Sequence, residues 1–426
     1  MGDSANRRWR YHPARDQLLA EVHARPSTAL AAPMLATRIA TLSGEDGAAI
    51  DCQHMVALCR RLGQSEPSAS SKWCVLDAGS WKLRWERHTE FSTWTFFRTP
   101  TRSDPFLETG MDLVPAEWLD ALPGEVLVAT NLALLSMDQR PPQALIKGAD
   151  TIGATIMGGK ATVYTDLRPD AHGMTRFLLQ TADRDADLIG RIVLRLLEIE
   201  TYRLMALLAF PLAGEVTRKL VRIEARASEL AAQISQKGNA DEDRRLLSNL
   251  AKLAGETEAL IAQTSFRFGA GAAYHEIVHD RIDTLQEEPI AGLQTLGAFM
   301  ERRLAPAMRT CETVARREQT AIERIARTED MLNTRVEVAA AESSAALLAS
   351  MDRRAQIQLR LQRAVESFSV IAISYYMLGT AVYLLKGVHQ IVPRFDPVIG
   401  EAMLVPFVIG GVWLALRRFH GHFASD

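Results

Sequence analysis

The chain has 426 residues, of which 47% are hydrophobic and 23% are charged, and its formal net charge is -2. This composition excludes a disordered or fibrous protein, and the near-neutral charge excludes nucleic acid as the main partner, because phosphate binding requires a concentrated basic surface. The length is enough for two or three domains. The four cysteines form no CxxC pair, which is typical of thiols in a reducing compartment.

The first part of the chain, residues 1–184, predicts a mixed α/β domain. Pro13 is suited to a first helical turn, so a short helix is predicted over residues 14–23, with further helices over 51–62 and 116–122. Segments rich in β-branched and aromatic residues, separated by Gly, Pro and Asp, predict strands. The predicted strands are residues 34–42, 73–77, 81–88, 91–98, 126–136, 151–157, 161–167 and 174–180.

Residues 185–366 predict a helical bundle that continues into a stalk. Pro211 and the Lys-Gly-Asn sequence at 237–239 divide its first part into separate helices. The predicted bundle helices cover residues 187–210, 212–236, 242–263 and 270–286, with another from 292 onward.

A single long stalk helix is predicted from residue 307 to Lys386, because neither Gly nor Pro occurs between residues 307 and 377. Apolar residues in this segment recur at helical spacings, which indicates a packed stripe with weak coiled-coil character. The stripe consists of Ile322, Ile325, Leu332, Val336 and Ala339.

Two apolar runs at residues 367–386 and 397–416 are each long enough to cross a bilayer as a helix. They predict a two-helix transmembrane hairpin over residues 367–418, followed by a short tail at 419–426. Arginines precede the first run and follow the second, so the positive-inside rule predicts that both termini are cytoplasmic. The polar N-terminus, which has no apolar core, agrees with this orientation because it predicts no secretory signal peptide.

The densest polar cluster of the first domain is Glu86, His88 and Glu90. On a strand these alternate residues share one face, where they would form a metal or ligand site. The alternatives are a sheet face of salt-bridged side chains, or a turn at residues 88–90. A second cluster of His12, Glu21, His23 and Arg25 surrounds the first helix, and His23 and Arg25 join the candidate ligand-binding residues.

A metal-binding pattern occurs at His275-Glu276-Ile277-Val278-His279. On a helix, two His four residues apart share a face and hold Zn²⁺, with the intervening Glu as general base. A third ligand at a typical distance is not evident in the sequence. The alternative is that these His residues face water or a partner helix in the bundle.

Several long segments resemble a bacterial family of uncharacterised membrane-anchored proteins, catalogued as a domain of unknown function. The segments are HPARDQLLAEVHARPS, WERHTEFSTWTFF, RLLEIETYRLMALLAFP, GLQTLGAFMERRLAPAM and LLASMDRRAQIQLRLQRAVESFSVIAISYYMLGTAVYLLKG. They cover nearly the whole chain in one order. The resemblance implies a protein of the bacterial inner membrane with C-terminal spans and no established activity, and the His-Glu-x-x-His pattern is not among its motifs.

A looser resemblance concerns architecture alone: a cytoplasmic α/β domain, a long stalk helix and two spans are similar to CorA-type divalent-cation channels. Those channels are pentamers whose first spans line the pore, which here would present the polar residues Ser367, Ser369, Ser374, Tyr375 and Thr380 to a shared axis. The Gly-Met-Asn signature of those channels is absent, which weakens the case for magnesium. Analogy at the level of fold is associational.

Together these patterns predict an α+β protein with a mixed sheet domain, a helical bundle with a stalk, and a transmembrane hairpin. We expect a non-enzymatic scaffold or sensor that forms homo-oligomers, lies in the lipid bilayer, needs no cofactor and binds a cytoplasmic partner. The first alternative is a CorA-like channel that carries a cation such as magnesium. The second is a membrane-tethered zinc hydrolase that uses His275, Glu276 and His279.

Overall fold

The computed structural model describes residues 9, 11–15, 18–19, 28–44, 47–139, 150–236, 238–391 and 397–423. The chain divides into two compact units, Met1–Gly238 with Arg244–Glu329, and Asn239–Asp243 with Asp330–Asp426. The predicted boundary at residues 184/185 lies inside the first unit, and the boundary at 366/367 lies inside the second. Most of the predicted helix 14–23 lies outside the described residues.

Within the described residues, nine strands of the first unit form one mixed sheet in the order β2-β3-β4-β1-β5-β8-β7-β6-β9. All neighbouring strands are antiparallel except β5 and β8. The strands are β1 (Met34–Leu42), β2 (Trp73–Asp77), β3 (Trp81–Arg87), β4 (Ser92–Arg98), β5 (Glu125–Ser136), β6 (Ile152–Ile156), β7 (Ala161–Pro169), β8 (Thr175–Thr181) and β9 (Glu288–Pro289). The predicted strands agree within two residues, and only the short β9 was not predicted.

One face of the sheet packs against α1 (Gly47–Arg61) and α2 (Ala116–Asp120). Alternate residues of β3 and β4, among them Trp85, Trp94 and Phe96, are fully buried in this cluster. The rings of Trp94 and Phe96 meet Trp118 of α2 edge-on, and the same cluster contains residues of α1. Because side chains of a strand alternate between faces, the residues between these aromatics point to the opposite side of the sheet.

The opposite face packs against α3 (Ala186–Leu207), which begins at an N-cap formed by Asp185. The carboxylate of Asp185 accepts hydrogen bonds from the backbone N–H groups of Asp187 and Leu188, both at 3.1 Å. Close contact with the chain before β1 requires Gly190, because a Cβ there would lie 1.9 Å from the carbonyl oxygen of Thr28. This contact fixes α3 beside the sheet.

The remaining helices are α4 (Ala209–Ile234), α5 (Ala240–Leu285), α6 (Leu296–Ile391) and α7 (Pro397–Phe423). The sequence predicted that Pro211 ends a helix. Pro211 instead occupies the first turn of α4, where its missing N–H is not needed. The predicted helices 242–263 and 270–286 are a single helix, α5, because Gly271 is a packing site and not a break. A Cβ at Gly271 would lie 3.0 Å from the Cβ of Ala209.

In the second unit, α6 and α7 contain the two predicted spans, and both helices are long and apolar enough to cross a membrane. Large apolar side chains of these segments are exposed, for example Phe368 at 73% and Phe407 at 79%. The stalk helix is continuous from Leu296, and Pro306 lies within it. Along the predicted stripe, Ile325 and Leu332 are buried, whereas Ala339 is exposed. The fold class predicted from the sequence, α+β, is confirmed.

Candidate functional site

A cavity of about 460 Å³ lies between the sheet and helices α3 and α5 of the first unit. Two side chains in its lining are carboxylates, Glu86 and Glu198, and five are guanidinium groups. The guanidinium groups belong to Arg38, Arg84, Arg191, Arg195 and Arg281. Five arginines against two glutamates leave three positive charges in excess, so the cavity is strongly electropositive.

The sheet side of the cavity is built by cross-strand register. Thr95 of β4 lies directly opposite both Arg38 of β1 and Arg84 of β3, so the three side chains form one row on the same face. Arg38 Nε donates to Thr95 Oγ1 at 2.9 Å. Two residues along β3, Glu86 accepts from Arg84 Nη2 at 2.8 Å and lies 3.9 Å from Arg38 Nη2. All three charged side chains are buried.

The protonation state of Glu86 follows from its neighbours. Burial alone raises the pKa of Glu86, but the hydrogen bond from Arg84 and the charges of Arg38 and Arg84 outweigh it, so the pKa lies below its ordinary value. Burial lowers the pKa of Arg38, and the Glu86 charge opposes that effect. Glu86 is therefore ionised at neutral pH and compensates part of the arginine charge.

The helix side of the cavity comes from residues on one face of α3. Arg191 and Arg195 are four residues apart and Glu198 follows three residues later, a spacing that aligns side chains on a helix. Arg281 of α5 donates through Nε to Glu198 at 2.5 Å. In the described parts of the chain, no carboxylate lies within ion-pair distance of Arg191 or Arg195. Burial and the charges of Arg281 and Arg191 lower the pKa of Arg195.

Aromatic rings complete the cavity. His88 stacks on Phe91 at 4.2 Å, and Tyr202 of α3 meets both rings edge-on at 6.3 and 6.1 Å. Arginine charge at one part of the wall and aromatic surface at another are features of pockets for small anionic molecules.

The predicted cluster of β3 is divided by the structure. Glu86 and His88 line the cavity, but β3 ends at Arg87, so strand alternation does not extend to Glu90. Glu90 instead accepts hydrogen bonds from Arg267 and from Tyr274 Oη of α5, the latter at 2.7 Å. Burial and the neighbouring Glu90 raise the pKa of Tyr274. This cluster joins the β3–β4 turn to α5.

Two further predicted ligand-binding residues, His23 and Arg25, lie outside the described residues. The sequence interpretation missed the arginines at 38, 191, 195 and 281. Signals for them exist: Arg38 interrupts the apolar strand MLATRIATL, and Arg191 and Arg195 are charged positions in a helix that is otherwise largely apolar. For Arg38, whose side chain is buried, such a position requires a buried partner or a functional reason.

The His-Glu-x-x-His pattern lies on α5, outside the arginine cavity. His279 Nδ1 lies 3.1 Å from Asp283 on the exposed surface of the helix, and Glu276 is exposed. Burial and the neighbouring His279 lower the pKa of His275. Across the described ranges, no group of three or more His, Cys, Asp or Glu residues is arranged to hold a metal ion. The zinc site stays a prediction that has no third ligand in this part of the chain.

The polar residues of the first predicted span lie on α6. Ser367, Ser369 and Thr380 each donate to the backbone carbonyl four residues earlier, at 3.0, 2.9 and 2.8 Å. Tyr375 is exposed, whereas Ser374 is buried. Their predicted role in lining a pore requires several copies of the chain and stays a prediction.

Comparison with protein families matches residues 10–423 to the family described as "Protein of unknown function (DUF3422)". The chain therefore belongs to this family, as its sequence motifs predicted. No curated protein and no solved structure matches it. The resemblance to CorA-type channels thus gains no support from these comparisons.

Proposed function

We propose that this chain is a membrane-anchored, non-enzymatic ligand-binding protein whose sheet domain binds a small anion in the arginine-lined cavity. The observation that carries the proposal is the excess of guanidinium groups, five against two carboxylates, in a cavity of about 460 Å³. Cavities of roughly this size are typical of small-molecule sites. Guanidinium groups bind carboxylates and phosphates through paired hydrogen bonds.

The distribution of partners supports a site for an anion on the helix side. Glu86 and Glu198 are held by Arg84 and Arg281, respectively. Arg191 and Arg195 have no such carboxylate among the described residues, so an anionic ligand supplies the missing charge.

The same chemistry favours binding over catalysis. Arginine does not release its proton in the physiological pH range, and it therefore serves poorly as a general acid or base. The carboxylate of Glu86 is ionised and engaged by Arg84. This arrangement suits a sensor or scaffold that recognises a ligand, and it supports the non-enzymatic part of the proposal.

The membrane part of the proposal rests on the apolar segments of α6 and α7. Most of their side chains are exposed, and an apolar surface of this extent in water is a liability unless lipid or another chain covers it. The proposed arrangement is a hairpin in the bacterial inner membrane with both termini in the cytoplasm, in a homo-oligomer that contacts a cytoplasmic partner. Arginines at both cytoplasmic ends of the hairpin support this orientation.

Calorimetric titration of the full-length protein in mild detergent with inorganic pyrophosphate tests the anion site. We expect Arg195→Gln to weaken binding by about tenfold, because one charged hydrogen-bonding group is lost. Arg218→Gln is the matched control, since Arg218 is exposed on α4 and lies outside the cavity. Equal affinity in the wild type, Arg195→Gln and Arg218→Gln would contradict the proposal.

The anchor is tested separately with a C-terminal epitope tag. After alkaline carbonate extraction, the tagged protein is expected to stay in the membrane pellet. External protease is expected to remove the tag in inverted inner-membrane vesicles but not in spheroplasts. Cleavage in spheroplasts, or release by carbonate, would overturn the proposed topology or anchoring.

A further inference from the structure

A second cavity, of about 450 Å³, lies between α5 and α6 within the first unit. Its walls are mainly apolar, with Ile261, Phe268 and Ala272 from α5 and Met308 and Ala315 from α6. The site is separate from the arginine cavity, and the two share no lining residue. An apolar cavity with a few convergent polar groups is the general form of a small-molecule site.

The notable polar group in this wall is Glu318, whose residue is only 3% exposed. Its hydrogen-bond partner is Thr264, whose hydroxyl oxygen lies 3.0 Å from each carboxyl oxygen. The same hydroxyl lies 3.1 Å from the carbonyl oxygen of Leu260, one turn earlier on α5. The hydroxyl of Thr264 donates to the carboxyl group of Glu318, so this hydrogen-bond partner is neutral and supplies no positive charge.

The charged groups around Glu318 are engaged elsewhere. Arg317 binds Glu224 of α4 at 2.8 Å, and Glu312 at the rim binds Arg316 at 2.7 Å. Arg309 lies 3.7 Å from Glu301. Over the residues that the structure describes, no Lys, Arg or His lies within ion-pair distance of Glu318.

The free energy of this arrangement depends on the proton. A buried carboxylate without a positive partner is strongly disfavoured, and such a group keeps its proton. Burial accordingly raises the pKa of Glu318, against the smaller effect of the Thr264 hydrogen bond. His275 in the same wall has a pKa lowered by burial and by His279, so it adds little positive charge at neutral pH.

We propose that this second cavity binds a small hydrophobic amine, whose ammonium group pairs with Glu318 while its apolar part packs against Phe268 and Met308. Charge complementarity carries the assignment, because Glu318 is the buried charged residue of the lining. The other two charged lining residues, Arg309 and Glu312, are exposed and lie within ion-pair distance of Glu301 and Arg316. On binding, the carboxyl O–H bond of Glu318 breaks and its proton passes to solvent. The ammonium ion keeps its own proton and forms the ion pair with the resulting carboxylate.

The experiment is calorimetric titration of the full-length protein in mild detergent with 2-naphthylmethylammonium. The neutral 2-naphthalenemethanol is the matched ligand. We expect the amine to bind at least about tenfold more tightly than the alcohol. Repeating the titration in buffers of different ionisation enthalpy is expected to show net proton release, the signature of Glu318 becoming ionised.

Two variants decide the outcome. Glu318→Gln keeps the side-chain shape and leaves no buried charge, so it is expected to fold, to bind the amine at least about tenfold more weakly and to abolish proton release. Glu258→Gln makes the same substitution at an exposed position of α5 outside the second cavity, and it is expected to bind the amine as tightly as the wild type does. Equal amine affinity in Glu318→Gln and wild type, or equal affinity for amine and alcohol, would overturn the proposal.

Discussion

The two cavities of the first unit are nearly equal in volume, about 460 and 450 Å³, but they deal with buried charge in opposite ways. Between the sheet and α3, charges are numerous, and ion pairs such as Arg84–Glu86 and Arg281–Glu198 compensate part of them. Between α5 and α6, the buried carboxyl group of Glu318 has no ion-pair partner among the described residues, and burial raises its pKa, which favours the protonated form. Pairing fixes a charged site over a wide pH range, whereas protonation makes the site sensitive to pH.

The backbone explains why the two cavities differ. A sheet face collects side chains from neighbouring strands in register, so Arg38, Thr95 and Arg84 meet in one row. Two packed helices share only a narrow stripe, in which one polar position such as Glu318 has few neighbours able to compensate its charge. The four predictions that follow change one side of this comparison at a time.

The largest effect is expected at the contact that fixes α3 beside the sheet. In Gly190→Ala, the new Cβ would lie 1.9 Å from the backbone carbonyl oxygen of Thr28, so the helix or the chain before β1 must move. We expect a loss of at least about 3 kcal/mol in the free energy of unfolding. Urea unfolding followed by tryptophan fluorescence measures it, because Trp85, Trp94 and Trp118 are buried in the sheet domain.

The matched control, Gly214→Ala, makes the same substitution but is expected to change stability in the opposite direction. A Cβ at Gly214 of α4 meets nothing within 4 Å, so Gly214→Ala changes only helix propensity. It is expected to stabilise the protein by about 0.5–1 kcal/mol. A loss of stability in Gly214→Ala as large as that in Gly190→Ala would show that steric contact is not the cause.

The second prediction concerns the negative charge of Glu86 in the arginine cavity. Glu86→Gln leaves the charges of Arg38 and Arg84 close together and buried, and we expect a loss of about 2 kcal/mol at pH 7. Glu117→Gln, which breaks an exposed ion pair with Arg61 at 3.3 Å, is expected to change the free energy of unfolding by less than about 1 kcal/mol. Equal effects in the two variants would mean that the buried pair contributes no more than the exposed one.

The third prediction concerns the pH dependence of the same pair. The pKa of Glu86 is lowered in the folded state. Its contribution to the free energy of unfolding is therefore complete above the unfolded-state pKa of about 4.3, and it is lost as the pH falls through the lowered pKa. The difference in free energy of unfolding between wild type and Glu86→Gln is therefore expected to be constant from pH 6 to 8 and to shrink below about pH 4. Urea unfolding at a series of pH values measures it. A difference that grows on acidification would give the opposite sign and refute the argument.

Much of the fold was predictable because local sequence determines it. The aromatic and β-branched run of β4 was predicted within one residue, and the apolar runs of α6 and α7 are evident from length and composition. The candidate site was predictable only in part. Glu86 and His88, which are close in sequence, both line the cavity, whereas Glu90 lies apart from it and binds Tyr274 because β3 ends at Arg87.

The remaining site residues depend on contacts between distant segments. Periodicity predicts that Arg191 and Arg195 share a helix face, but it does not indicate which element packs on that face. Arg281 lines the cavity from α5 and is held there by its hydrogen bond to Glu198 of α3, a residue distant in sequence. Glu318 is one of several acidic residues on α6, and it lies four and seven residues before Ile322 and Ile325 of the predicted stripe. This spacing places it on the same helix face, but it does not indicate which side chains of α5 meet it there.

The smallest effect is expected from Glu318→Gln, and its pH dependence is the reverse of that at Glu86. The pKa of Glu318 is raised in the folded state. Its contribution to the free energy of unfolding is therefore complete below about pH 4.3, and it is lost as the pH rises through the raised pKa. Glu318→Gln, which never ionises, is therefore expected to match the wild type at pH 4 and to unfold on the order of 1 °C higher at pH 8. Thermal unfolding at the two pH values measures this, with Glu258→Gln as the exposed control. A variant that is less stable than wild type at pH 8 would mean that Glu318 is stabilised as a carboxylate, and that the two cavities compensate their charges in the same way.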